Sequence, residues 1–465
     1  MAQWMALVAM IAAAAGARAE TAQEYNTRGI QQLDAGKFQG AVDSFSAARR
    51  LLPQDATIQR NLAMAYNGWG VELARQANYA DAIKRLQSAI LLAPQETGIP
   101  ANLTAIRVNW AGELTQGKRY DDAETQLRLA AQETQAETLR REITKRRGYN
   151  AYMIAKDLID RGDKDRGTAQ LDAALRIDPD CTHALIKLAQ LQYENGNTGE
   201  AIEAWQRAAA IDPGIQGLSE MLAKATREAS VESNFNQRSS RDFNVSYEGT
   251  VNEQAAREAL QILSRALFQI RRDLRYNGDK SFAVVLYQRD QYEAATGGPT
   301  WSAGLYDGKI RVPLRGGNMT RDDMQALTRT LRHELTHAIV NDLAPRQVPA
   351  WLNEGLAMYY EVEDAERARR AQADRQKIAR MAGRGANIAV LGLPASFTSI
   401  TNENQVEQAY LFSRSFVYWM AERWRPWKFK DLLAELGEGA AVEDAVRKVY
   451  GCTPEEMEKT WVNGI

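Results

Sequence analysis

The chain has 465 residues, 45% of them hydrophobic and 25% charged, with a formal net charge of −1. That length suits two or three domains, each able to bury its own core. The balanced charge excludes a chain built as a polycation for nucleic acid or an anionic membrane surface, and favours neutral or mixed-charge partners.

In chain order, Met5 to Ala15 is an apolar, alanine-rich run, and Ala17-Arg18-Ala19 fits a small-residue cleavage site. Residues 1–19 therefore read as a secretory signal peptide cut before Glu20, although no Lys or Arg precedes the run. This predicts a periplasmic or secreted protein. The run is too short for a conventional membrane span, and no later segment is long and apolar enough, so no transmembrane segment is expected after cleavage. The only cysteines are Cys181 and Cys452. They either pair across domains in an oxidising compartment or remain two buried thiols.

From residue 22 to about 214, small and large apolar positions recur in order. One set is Gly29, Ala41, Phe45, Ala48 and Pro53; the next is Gly70, Ala82, Leu86, Ala89 and Pro94 at identical offsets. Weaker sets carry Ala111, Ala123, Leu127 and Ala130, then Ala155, Leu171, Ala174 and Pro179. The last carries Ala189, Ala201, Trp205, Ala208 and Pro213. This resembles the tetratricopeptide repeat, a 34-residue pair of helices. Small residues let paired helices approach, a large one fills the gap, and proline closes the unit. Each unit buries its apolar face on its neighbours, which predicts an all-α solenoid over residues 22–225. The resemblance implies a protein partner on the repeat surface; the alternative is a spacer or cap. His183 falls in the last repeat and reads as an ordinary repeat residue.

Residues 226–241 are expected as a linker, because Ser230 to Arg241 is polar. Residues 242–465 then read as an α+β domain. Phe243 to Tyr247 alternates like a strand, Glu253 to Leu274 is a long amphipathic helix, and Phe282 to Tyr287 is a buried-looking strand. Asp307-Gly308 between alternating runs signals a hairpin within Trp301 to Val312. Residues 361–384 suggest a solvated helix, helical patterning resumes near Val406, and Thr453-Pro454 starts a last helix.

Between these lies Leu331-Arg332-His333-Glu334-Leu335-Thr336-His337, which holds two of the chain's three histidines as H-E-x-x-H. Thr320 is a plausible N-cap, and Met324, Leu327, Leu331, Leu335 and Ile339 recur at helical spacing. On that helix His333 and His337 lie one turn apart on one face, where both imidazoles can reach one ion. Catalytic zinc takes three protein ligands and keeps one position open. Trp351-Leu352-Asn353-Glu354-Gly355 offers the third ligand, Glu354.

The two segments resemble the gluzincins, zinc peptidases in which a later helix adds a glutamate to an H-E-x-x-H helix. Trp-Leu-Asn-Glu-Gly is similar to their second-helix motif, and a compact "peptidase MA-like" domain is the nearer match. The resemblance implies His333, His337 and Glu354 as ligands of one Zn2+ per chain, with Glu334 as general base. It also implies a strand before the helix that pairs with extended substrate, for which residues 309–312 are in place; the alternative there is an ordinary internal strand. An oxyanion needs a donor besides the metal; similar domains carry an Ala-Tyr, which maps onto Tyr410, with Tyr306 and Tyr359 as competitors. The Gly-x-Met-Glu-Asn motif of aminopeptidases is absent, so the expected activity is that of an endopeptidase on peptide or protein substrate. The competing reading is a binding protein with a structural metal or an inactive peptidase fold.

Overall fold

The computed structural model describes residues 20–249, 252–297, 304–314, 319–345 and 348–465. The expected signal peptide, residues 1–19, lies outside the described residues. The chain divides into two compact units between Leu185 and Ile186.

The first unit is helical. Its elements are α1 (Ala22–Asp34), α2 (Phe38–Leu51), α3 (Ala56–Arg75), α4 (Tyr79–Leu92), α5 (Gly98–Gln116), α6 (Tyr120–Glu133), α7 (Glu137–Asp160), α8 (Lys164–Ile177) and the start of α9 (Thr182–Glu194). Thr21 caps α1 in a reciprocal pair with Glu24, and Asp55 caps α3 by accepting from the amides of Thr57 and Ile58. The expected repeat positions form the core: Ala41, Phe45, Ala48, Ala82, Leu86, Ala89, Ala123, Leu127, Ala130, Leu171 and Ala174 are all buried. The glycines serve close approach. A Cβ on Gly29 would sit 2.5 Å from the Phe45 ring, and one on Gly70 would sit 2.1 Å from Leu86. The 34-residue period holds only at the end. Gly29, Gly70, Ala111 and Ala155 follow one another at 41, 41 and 44 residues, and Ala189 follows at 34. The reason is helix length: α3, α5 and α7 have 20, 19 and 24 residues, whereas α9 has 13. His183 packs edge-on against Tyr149, ring centroids 5.3 Å apart, as an ordinary repeat residue.

The second unit opens with the rest of α9, then α10 (Thr198–Ile211) and α11 (Leu218–Glu232). The segment expected as a linker is not one. α11 runs to Glu232, and β1 (Phe235–Ser239) pairs antiparallel with β2 (Phe243–Glu248). β1 is an edge strand with mostly exposed side chains, so its composition is that of a solvated segment. α12 (Glu253–Leu274) crosses to β3 (Phe282–Gln288), and α13 (Arg289–Thr296) precedes β4 (Leu305–Tyr306) and β5 (Ile310–Leu314). The sheet order is β1-β2-β3-β5-β4, with β2, β3 and β5 parallel and both edge strands antiparallel.

β3 is buried on both faces, which is why Phe282 to Tyr287 reads as a continuous apolar run. Its Phe282, Val284 and Leu286 join the main core with α12, while Val285 and Tyr287 pack on the other face with Tyr292 and Phe235. α14 (Arg321–Leu343) and α15 (Ala350–Tyr360) follow, then α16 (Asp364–Ala382), α17 (Glu403–Trp424), α18 (Lys428–Glu438), α19 (Val442–Tyr450) and α20 (Pro454–Asn463). The expected solvated helix at 361–384 is α16, mostly exposed but anchored through buried Arg367, Ala371, Asp374 and Ile378. The architecture is thus a helical-repeat solenoid followed by an α+β region with a small mixed sheet. The cysteines are both free, Cys181 buried and Cys452 half-buried.

Residues 309–312 do not form the sheet edge. The Asp307-Gly308 turn, with Gly308 at φ +107°, folds Leu305–Tyr306 back along Ile310 and Arg311. β5 therefore lies between β3 and β4, and β4 is the edge among the described residues.

Candidate metal centre

α14 begins as its sequence predicts. Thr320 accepts from the Asp323 amide, and Asp323 returns a bond to the Thr320 backbone. Leu327, Leu331, Leu335 and Ile339 are buried in the main core, so the opposite side of the helix carries His333 and His337. Arg332 braces the helix by donating to the Tyr360 carbonyl at 2.8 Å, just beyond the end of α15's metal-facing turn. α15 is nearly all apolar and sinks Trp351, Leu352, Leu356 and Tyr360 into the core. That leaves Glu354 to face α14.

The three expected ligands meet. One ligand atom each from His333, His337 and Glu354 all lie within 4.8 Å of one another. The two imidazole Nε2 atoms are 3.1 Å apart, and Glu354 Oε2 is 3.6 Å from His333 and 3.8 Å from His337. Two nitrogens at that separation, facing one carboxylate, want a shared cation. Burial opposes charge on His333, but the facing carboxylates of Glu354 and Glu361 outweigh it and raise the ring to about 10. Burial and the charged His333 together push His337 down. Burial also works to lift Glu354, and the two histidines overcome it and hold the carboxylate low. Two nitrogens and one oxygen in this arrangement fit a catalytic zinc site.

Two orienting groups escaped the sequence reading. Asn353 Oδ1 lies 2.9 Å from His337 Nδ1, which fixes Nδ1–H as donor and frees Nε2 for a metal. Glu361 Oε2 lies 3.9 Å from His333 Nδ1 and is itself paired with Arg370 at 3.3 Å. Asn353 stands in the quoted motif, so adjacency to Glu354 was its one available signal. Glu361 follows the end of α15, with no spacing rule to mark it.

Glu334 is buried, and burial lifts its carboxyl to about 7, with His333 opposing the rise and Glu354 adding to it. The backbone before β4 presses on it: a Cβ on Gly304 would lie 2.8 Å from Glu334 Oε1. Of the three tyrosines, Tyr410 is the one whose hydroxyl feels the charges of Glu354 and Glu334. Burial raises its hydroxyl to about 12, and the negative charges of Glu354 and Glu334 contribute. Its ring meets Phe397 edge-on at 5.1 Å. Tyr306 accepts from Asn341 at 3.4 Å, one turn after His337 on α14. Tyr359 is core, with the Arg367 guanidinium 3.8 Å above its ring. Gly355 lets α17, which carries Tyr410, lie against α15. A Cβ at Gly355 would meet Val417 at 2.5 Å and the Ser413 carbonyl at 2.8 Å.

Comparison with known proteins agrees with this geometry. Residues 286–465 match the model of the Peptidase MA superfamily, and residues 152–214 match that of the tetratricopeptide repeat. No curated protein matches the chain. Solved structures similar to it are repeat proteins. A TPR repeats protein from Bacteroides fragilis is 13% identical, covers 45% of this chain and 99% of its own, and has a TM-score of 0.25. A thermophilic TPR protein from Thermus thermophilus is 20% identical, covers 44% and 99%, and has a TM-score of 0.18.

Proposed function

We propose that this chain, in which tetratricopeptide repeats precede a Peptidase MA superfamily domain, is an exported zinc-dependent endopeptidase whose repeats recruit a substrate or partner protein. The observation that carries the reading is the convergence of His333, His337 and Glu354 beside a buried Glu334. A purely structural metal has no need of a carboxylate there.

His333, His337 and Glu354 would hold the ion. Zinc, when bound, supplies a Lewis acid that polarises the scissile carbonyl and acidifies the attacking water. Glu334 takes the proton of that water and passes it to the leaving amine. Tyr410 donates its hydroxyl proton in a hydrogen bond to the oxyanion that develops on the carbonyl. Asn353 and Glu361 keep the two imidazoles turned inward. Among the described residues β4 ends the sheet, and it borders Glu334 through Gly304, where an extended peptide would add as a further strand.

The test is metal removal. Protein purified without chelator should carry about one zinc per chain and cleave members of a proteome-derived peptide pool. Chelation should abolish cleavage, and added zinc should restore it. A zinc-loaded protein that cleaves nothing across such a pool would instead favour the binding-protein reading.

A further inference from the structure

The second face of the sheet hides a group of charges that the reaction does not use. Arg311 on β5 is fully buried, as are Lys309 just before it and Glu228 on α11. Arg311 Nη2 pairs with Glu228 at 2.8 Å and donates to the Tyr193 hydroxyl at 2.7 Å. That hydroxyl donates to the Glu228 carboxylate at 2.8 Å. Lys309 donates to Thr198 on α10 at 2.7 Å and stands 3.4 Å from Glu228. At the hairpin turn, Asp307 is held by Lys224 on α11 and by Arg311. Burial works to lift Glu228, yet Arg311 and Lys309 hold it ionised. The three cations Lys224, Lys309 and Arg311 thus meet Glu228, Asp307 and the nearby Glu232.

Four of these contacts, Arg311 with Glu228 and Tyr193, Lys309 with Thr198 and Lys224 with Asp307, join helices α9 to α11 to a single element, the β4–β5 hairpin. Pairing with β3 already sets the register of β5 along the sheet. Directed, buried ion pairs then fix how the turn end seats against the helices, because a shifted seat strands a charge. The hairpin needs such fixing. β4 has only two residues, and three residues before Asp307 the chain passes Glu334 at Gly304. Three residues span about 10 Å at most, so movement of the turn is delivered to the site.

We propose that Glu228, Arg311, Lys309 and Lys224 are positioning residues: they lock the β4–β5 hairpin to the last helices of the repeat region and so set the edge that borders Glu334. The kinetic part rests on the peptidase reading; the structural part does not. α11 is then a working part of the catalytic unit and not a spacer.

The experiment compares full-length wild type with Lys224→Met and Arg311→Met. Zinc content, kcat and KM on a cleaved peptide, and amide exchange over residues 304–314 are read for each. Both variants should keep their zinc and the protection of α14, and their 304–314 amides should exchange faster. Arg311→Met should lose about a hundredfold in kcat/KM, as expected for a displacement on the order of 1 Å at a reacting centre. Lys224 is a third exposed, so its variant folds even if Arg311→Met does not, and it should show the same changes more weakly. Unchanged exchange in the hairpin of folded Lys224→Met would overturn the proposal. If wild type cleaves no peptide, the peptidase reading fails while the exchange comparison still decides this one.

Discussion

Asn353 ligates nothing in this arrangement, yet it decides which nitrogen of His337 is free to ligate. Replacing it with Ala should weaken zinc affinity by about 10- to 100-fold, measured by competition with a chelator of known affinity. Affinity equal to wild type would remove its orienting role. Tyr410→Phe should behave in the opposite way: zinc unchanged, kcat lower by about 10²- to 10³-fold. At this scale the ligands were legible because H-E-x-x-H matches the helical repeat, and Glu354 because it stands in a specific short motif. Asn353 and Glu361 were not legible. Each makes one contact with a ring nitrogen, and a single contact leaves no periodicity. Tyr306, Tyr359 and Tyr410 were not separable in the sequence, since all three are aromatic positions beside apolar runs.

Helix against helix, the site depends on how closely α15 and α17 approach. Gly355→Ala would push a methyl group against Val417 and the Ser413 carbonyl, and the carbonyl cannot rotate away. The expected cost is about 1–3 kcal/mol by urea unfolding, with a fall in turnover as Tyr410 is displaced. α17 is held in place from its other side as well. Arg414, one turn after Tyr410, makes two 2.7 Å bonds to the buried Asp374 of α16. Asp374→Ala leaves that guanidinium half-buried and unpaired, and should cost about 3 kcal/mol or more. The sequence showed most of these elements, since α12, α14 and β3 have strong periodicity or strong apolar runs. It failed where composition and role diverge. β1 is a strand with the composition of a linker, because an edge strand leaves its side chains in water. Lys309 and Arg311 alternate with Ile310 and Val312 as solvent-facing residues would, yet their face is covered by α11. Alternation reports two faces and cannot say that both are buried.

For the whole molecule, order along the chain carries the functional argument: helical repeats first, then a peptidase-like region that brings His333, His337 and Glu354 together. The repeats were legible from recurring small and large residues, although their true spacing follows the unequal lengths of α3, α5 and α7. The break between compact units falls within α9, and sequence pattern alone gives no reason for it. No helix of the described residues is long and apolar enough to cross a membrane. If the protein is exported, the mature chain should begin near Glu20 and be recovered outside the cytoplasm; exclusively cytoplasmic protein starting at Met1 would contradict this. The most direct test of the central claim separates holding a metal from using it. Zinc content and cleavage of a responsive peptide should be measured for wild type and Glu334→Gln, which keeps the side chain's shape and removes its proton acceptor. The account predicts equal zinc in both and a loss of about a thousandfold or more in turnover for the variant. Cleavage by Glu334→Gln at near wild-type rate would contradict it.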